Sequence, residues 1–125
     1  MSKERILIID DDPEMIASLG RTLRASGYTT VSAPDAETGL LEIAKERPAV
    51  IISDVQMPGI NGFQLCRQLR ASAATQDLPV ILMSGKTDPA DHFWAKEVGA
   101  RVLLRKPIEV SKLVAEVAGA LAPAP

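Results

Sequence analysis

Five polar side chains stand where apolar runs stop. Asp10 and Asp11 follow Arg5-Ile6-Leu7-Ile8-Ile9, Asp54 closes Val50-Ile51-Ile52-Ser53, Ser84 follows Pro79–Met83, and Lys106 follows Val102–Leu104 after one Arg. If the runs are strands of one sheet, these groups share a rim. Three carboxylates at one rim repel one another, which is tolerable only with a cation among them. A donor set of oxygens with no His or Cys nearby favours Mg²⁺. Asp54 is also followed by Val55-Gln56-Met57-Pro58-Gly59-Ile60-Asn61-Gly62, a turn composition. A buried strand that ends this way delivers one charged side chain to the sheet edge. Taken alone, Asp54 is either an exposed loop acid or a reactive group held on a rigid scaffold.

The elements around these residues decide between the two. Arg5–Ile9 is a short, β-branched, continuous apolar run, the pattern of a fully buried parallel strand. Asp12-Pro13 then starts a helix, with Asp12 as its cap. Met15, Ile16, Leu19 and Leu23 mark its inner face, Gly20 lies inside it, and Gly27 ends it. Tyr28–Ala33 reads as a second strand. Asp35 caps a second helix that turns Leu40, Leu41 and Ile43/Ala44 inward and closes at Pro48. Ala49–Ser53 is the third strand, and Gly62–Ser72 the third helix, with Phe63, Cys66 and Leu69 at helical spacing. Pro79–Met83 is the fourth strand. Asp88-Pro89 repeats the cap-plus-proline start of a fourth helix that runs to Gly99. Val102–Leu104 is a fifth strand, and Val110, Leu113, Val114, Val117 and Leu121 give the last helix its apolar stripe. Five strands alternating with five helices predict an α/β domain, a doubly wound parallel sheet with right-handed crossovers. Such sheets bind ligands beyond the carboxyl ends of their strands, where all five polar groups fall.

On these residues the chain, from Ile6 to about Leu121, resembles a response-regulator receiver domain. The likeness rests on Asp10-Asp11, on Asp54 with Met57-Pro58-Gly59 and Gly62, on Ser84, and on Lys106-Pro107, in that order. The resemblance implies a flavodoxin-like strand order 2-1-3-4-5 with helices on both faces. It implies that Asp11 and Asp54 ligate Mg²⁺ with the backbone carbonyl of Gln56, Asp10 acting mainly through water. Asp54 is then the phosphorylation site, a nucleophile toward a phosphohistidine on a histidine kinase or phosphotransfer domain. The Lys106 ammonium suits a phosphoryl oxygen, and the Ser84 hydroxyl bonds another once phosphate arrives. The Lys106-Pro107 bond is expected to be cis. Gln56 and Lys86, two residues beyond Asp54 and Ser84, are placed to govern the lifetime of the phosphoryl group. Output is expected on the surface of the fourth helix, fifth strand and fifth helix, toward a downstream protein or domain.

Two residues depart from the family's common pattern. Ser84 stands where many members carry Thr, which keeps the hydroxyl. Leu103 stands where many carry the Tyr or Phe that turns inward on activation, so loop movement at Ser84 has to carry the switch. Trp94 is the expected reporter and anchor, since Phe93 and Trp94 are helix neighbours about 100° apart and cannot both be fully buried in one core. The stretch Phe93-Trp94-Ala95-Lys96 with Gly99-Ala100-Arg101 resembles receivers of pilus-type, twitching-motility chemotaxis systems. Other readings of the same acids remain open. Asp10-x-Asp12 matches the spacing of a haloacid-dehalogenase-like phosphatase, though Glu14 is wrong for that motif and no cap domain is present. A flavodoxin shares the strand order, but Asp10-Asp11-Asp12 would repel its flavin phosphate. A receiver that binds partners without phosphorylation is the third.

At 125 residues, 46% hydrophobic and 24% charged with a formal net charge of −2, the chain reads as one domain, 1–125. Its core spans about 5–121, and Ala122-Pro123-Ala124-Pro125 is a tail or the start of a linker. Scattered Lys and Arg with few aromatics argue against nucleic acid, and no run is long enough for a signal or membrane segment. The single Cys66 is read as core and fits a reducing, cytoplasmic compartment. His92 is read as an ordinary helix residue.

Overall fold

The computed structural model describes residues 4–122. Ten elements alternate: β1 (Arg5–Ile9), α1 (Pro13–Ala25), β2 (Thr29–Ala33), α2 (Ala36–Lys45), β3 (Val50–Asp54), α3 (Gly62–Arg70), β4 (Val80–Ser84), α4 (Pro89–Glu97), β5 (Val102–Arg105) and α5 (Val110–Leu121). The strands form one parallel sheet in the order β2-β1-β3-β4-β5. Helices cover both faces, and that is why β1, β3 and β4 tolerate continuous apolar sequence.

Alternation along each strand divides the interior in two. Leu7, Ile9, Ile51, Leu82 and Leu103 point to the face packed by α2, α3 and α4. Ile6, Ile8, Val50, Ile52, Ile81 and Met83 point to the face packed by α1 and α5. Side chains of Asp12, Asp35, Asn61 and Asp88 cap the first four helices, and the Asn61 and Asp88 caps are reciprocal boxes with Gln64 and Asp91. α5 starts at Glu109 with no side-chain cap.

The helical stripes differ from the sequence pattern at three places. Leu41, expected inward, is 64% exposed. In α2 the buried residues are Ala36, Gly39 and Ile43, and Leu41 lies about 140° around the helix from Ala36. Ala44, about 100° around the helix from the buried Ile43, is exposed as well. Val110 is 55% exposed because it opens α5 before that helix reaches the sheet, leaving Leu113 and Val117 as its buried pair. Cys66 is fully buried with Leu65 and Leu69, as its spacing predicts. Gly20 sits within α1 without breaking it. Pro123–Pro125 of the expected tail lie outside the described residues.

Candidate functional site

β1 and β3 are neighbours in the sheet, yet the helices that follow them leave to opposite faces. α1 joins the cluster with α5, and α3 joins the one with α2 and α4. The crevice this opens above the carboxyl ends of the strands is where doubly wound sheets bind ligands. The chain sends acids into it. Asp10 continues β1 and is 1% exposed, Asp54 ends β3 at 6%, and Asp11 is exposed beside them. One carboxylate oxygen from each of Asp10, Asp11 and Asp54 lies within 4.8 Å of the others.

Lys106 reaches the same place from the end of β5, following a main-chain bond from its N–H to the Ser84 carbonyl at 2.9 Å. Its ammonium stands 3.2 Å from Asp10 Oδ2 and 3.3 Å from Asp54 Oδ2. The Lys106-Pro107 peptide is cis, as the resemblance implied. Asp10 is engaged at both oxygens: its Oδ1 accepts from the Asp12 N–H at 2.9 Å while Oδ2 accepts from Lys106. Asp12 is the helix cap, its Oδ1 accepting from the Glu14 N–H at 2.9 Å. Asp54 Oδ1 faces the Gln56 N–H at 3.4 Å, a long contact that leaves this oxygen open to another partner. Ser84 is 2% exposed, and its hydroxyl accepts from the Lys86 N–H at 3.0 Å.

Burial pushes the Asp54 carboxyl above its ordinary pKa and the Asp10 charge adds to this, while the Lys106 charge and hydrogen bond and the Gln56 N–H oppose it. For Lys106, burial alone would weaken the ammonium. The hydrogen bond to Asp10 and the charges of Asp54 and Asp10 outweigh that, and the net shift is upward, so Lys106 stays charged across the physiological range.

Of the residues singled out in the sequence, Asp10, Asp11, Asp54 and Lys106 meet, and Ser84 and Gln56 border them through their main-chain neighbours. Leu103 is 6% exposed and packs in the cluster with Ala95 and Val98. Phe93 and Trp94 are both outside the core, 57% and 47% exposed, with ring centroids 5.5 Å apart at 78°. His92 is exposed. One residue escaped the sequence reading, and one has a packing role that its motif did not show. Ser53 is completely buried, and its hydroxyl donates to the main-chain carbonyl of Asp54 at 2.9 Å; the signal was a hydroxyl inside an otherwise apolar run. Gly62, read as part of the motif and as the start of the third helix, leaves no room for a Cβ beside the main chain of Asp54 and Val55.

The three carboxylates fit a hard divalent cation. Their oxygens converge, one of the acids faces solvent, and neither His nor Cys is among them.

Comparison with known proteins agrees with this geometry. The chain matches the family model of the response regulator receiver domain over residues 6–118. Protein PilH of Pseudomonas aeruginosa is 37% identical over 118 residues, which cover 94% of this chain and 98% of that protein. The DNA-binding response regulator MtrA of Mycolicibacterium smegmatis is 35% identical over 115 residues, covering 92% of this chain and 49% of MtrA. Among solved structures, the chemotaxis protein CheY4 of Vibrio cholerae superposes with a TM-score of 0.90 at 29% identity, over 96% of this chain and 100% of that one. With the family model matched over nearly the whole chain, a relative of similar length at 37% identity and the same sheet in a solved structure, the chain belongs to the response regulator receiver domain family, the regulatory module of two-component signal transduction.

Proposed function

We propose that Asp54 accepts a phosphoryl group from a phosphohistidine on a histidine kinase or phosphotransfer domain. The observation that carries this is the double contact of Lys106 with Asp10 and Asp54. It holds one Asp54 oxygen toward a fixed positive charge and leaves the other facing the crevice. An Asp54 oxygen attacks phosphorus, the phosphorus–nitrogen bond breaks, and the histidine nitrogen leaves with the electron pair and takes up a proton. The product is an acyl phosphate. Lys106 then pairs with a phosphoryl oxygen, and the Ser84 hydroxyl turns from the Lys86 N–H toward another.

Mg²⁺ is the cation this donor set suits, held by Asp11, Asp54 and the Gln56 carbonyl, with Asp10 acting indirectly because its two oxygens are already engaged. When bound, it would offset charge on the phosphoryl oxygens and keep Asp54 ionised. Gln56 and Lys86 flank the crevice with exposed side chains and tune the access of water to the acyl phosphate.

The protein is a phosphoacceptor and not a turnover phosphatase. The phosphatase reading needs Asp12 as an acid in the site, and Asp12 is spent on capping α1. Output runs through the surface of α4, β5 and α5 to a downstream protein or domain, without nucleic acid and without a membrane. Among the described residues no helix is long and apolar enough to cross one, and we place the protein in the cytoplasm. Leu103 is fixed in the core, so the movement of Ser84 and the loop into α4 carries the signal past Trp94. The likeness to PilH favours a chemotaxis-type, pilus-related system.

The test is incubation with acetyl phosphate and Mg²⁺, followed by intact mass. One phosphoryl group is expected on the wild type and none on Asp54→Asn. Equal labelling of the variant would sink the assignment.

A further inference from the structure

α4 is held firmly at one end only. It buries a single residue within its length, Ala95, whereas α1, α2 and α3 each bury three or more. Its first turn is closed by the Asp88–Asp91 box, which joins the helix only to its own entry residue. The loop that leads into it, Gly85–Asp88, makes no hydrogen bond among the described residues beyond Ser84 and that first turn. A segment with so little buried apolar surface and no outside hydrogen bond opens at low free energy.

The far end is different. After the cap residue Val98, Gly99 takes a left-handed φ of 79°, a common way for a chain to leave a helix. The Arg70 guanidinium, from the last turn of α3, reaches the Gly99 carbonyl with two donors, Nη2 at 2.8 Å and Nε at 3.3 Å. Its other branch, Nη1, donates to the Gln76 carbonyl at 3.1 Å and faces the Thr75 carbonyl at 3.5 Å, both in the loop before β4. Among the described residues no carboxylate pairs with Arg70. Its charge goes to main-chain carbonyls at a helix C-terminus, where the dipole favours a cation. The packing is close, since a Cβ at Gly99 would lie 2.8 Å from Arg70 Nε. Two residues on, the Arg101 N–H bonds the Val80 carbonyl at 2.8 Å, at the opposite end of β4 from Ser84.

We propose that Arg70 is a positioning residue for the switch. It pins the C-terminal end of α4, so that a pull at Ser84 tilts the helix about Gly99 instead of sliding or unwinding it. By the rise of a helix, Asp91 in the first turn lies about 12 Å from this pivot and Trp94 about 7.5 Å. Trp94 borders a small cleft with Phe63 and Arg67 of α3, so a tilt changes its surroundings on that side. The inference rests on the reading that phosphorylation of Asp54 moves Ser84 and the loop into α4.

Amide hydrogen exchange and amide chemical shifts of the full chain test this in the wild type and in Arg70→Ala, with intact mass following Asp54 separately. Without acetyl phosphate, Ala100 and Arg101 should be about tenfold or more better protected than His92 and Phe93. Arg70→Ala should reduce that protection about tenfold, the loss expected from a charge-assisted hydrogen bond. With acetyl phosphate and Mg²⁺, wild-type shifts should be large from Lys86 to Asp91 and fade by Gly99. In Arg70→Ala, phosphorylated to the same extent, they should extend through Arg101. A merely structural arginine would lower the stability of both forms without moving this boundary. If Arg70→Ala fails to fold, Arg70→Lys, which keeps the charge and loses the fork, carries the same expectations. Equal protection at the two ends of α4, wild-type shifts as large at Gly99–Arg101 as at Asp91, or an unchanged boundary in the variant each overturn the proposal. Any of these results with phosphoryl uptake rejects the pivot and leaves Asp54 standing. Absence of uptake rejects the Asp54 reading, and the exchange measurement then decides by itself whether Arg70 anchors α4.

Discussion

Gly62 offers a quantitative test of how the site is positioned. A Cβ at this residue would lie 2.7 Å from the Asp54 carbonyl oxygen, 3.0 Å from Val55 Cα and 3.0 Å from Leu82 Cδ2, all short of the 3.4 Å at which ordinary contact begins. Two of these three atoms are main chain at the end of β3, so relief requires moving the backbone that carries Asp54. Overpacking of this kind costs about 1–3 kcal/mol. The gain in helix propensity from Gly to Ala is at most about 1 kcal/mol, and less at the first residue of α3. A net loss of about 2 kcal/mol, at roughly 4 °C per kcal/mol for a domain of this size, lowers Tm by about 8 °C in Gly62→Ala. Displacing the Asp54 main chain also disturbs its alignment with Lys106, and labelling by acetyl phosphate should slow about tenfold or more. Gly20→Ala is the control. Its Cβ would meet only the Arg24 guanidinium, nearest at 2.8 Å, the free end of an exposed side chain that can swing away. In the middle of α1 the same substitution should raise Tm by about 2–4 °C. Calorimetry of the two variants and the wild type decides the matter. A Gly62→Ala Tm at or above wild type, or both variants shifting in the same direction, refutes the close-approach argument.

Further outcomes follow from the same geometry. Asp11→Ala should weaken Mg²⁺ binding more than tenfold, whereas Asp12→Ala should keep the affinity and lose about 1 kcal/mol of stability with its cap; similar losses of affinity in calorimetric titrations would contradict this division. Because the folded state raises the Asp54 pKa, this group favours folding at low pH and that contribution is lost as pH rises through the folded value. At neutral pH without divalent cations, Asp54→Asn should therefore raise Tm, with the gain shrinking on acidification, and a lower Tm at neutral pH would show that the Lys106 contact outweighs burial. Burial pushes the Cys66 thiol up to about 12, so the native protein should resist thiol reagents at neutral pH and react only when unfolded. Labelling at the rate of a free thiol would mean that α3 opens locally.

Local chemistry wrote much of this molecule. The strand pattern, the helix caps at Asp12, Asp35 and Asp88 and the placing of Asp10, Asp54, Ser84 and Lys106 at strand ends depend on runs of a few residues and on turns that Pro, Gly and Asn permit, and all of that is legible in the chain. The burial of Cys66 and the capping of α1 by Asp12 were legible for the same reason. Contacts made across the sheet were not. The Lys106–Asp10 pair joins residues 96 positions apart, and nothing within either segment sets its distance; the register of β1, β3, β4 and β5 does. The apolar pattern of α2 admitted Leu41 inward, and only the docking of Ala36, Gly39 and Ile43 on the sheet turned it to water. Ser53 and Gly62 look like a strand polar residue and a turn glycine until β3 and α3 meet, when one holds the Asp54 carbonyl and the other must leave it room. The place of β5, last in the sheet beside β4, is likewise an order that crossovers and packing impose and that no short stretch of sequence contains.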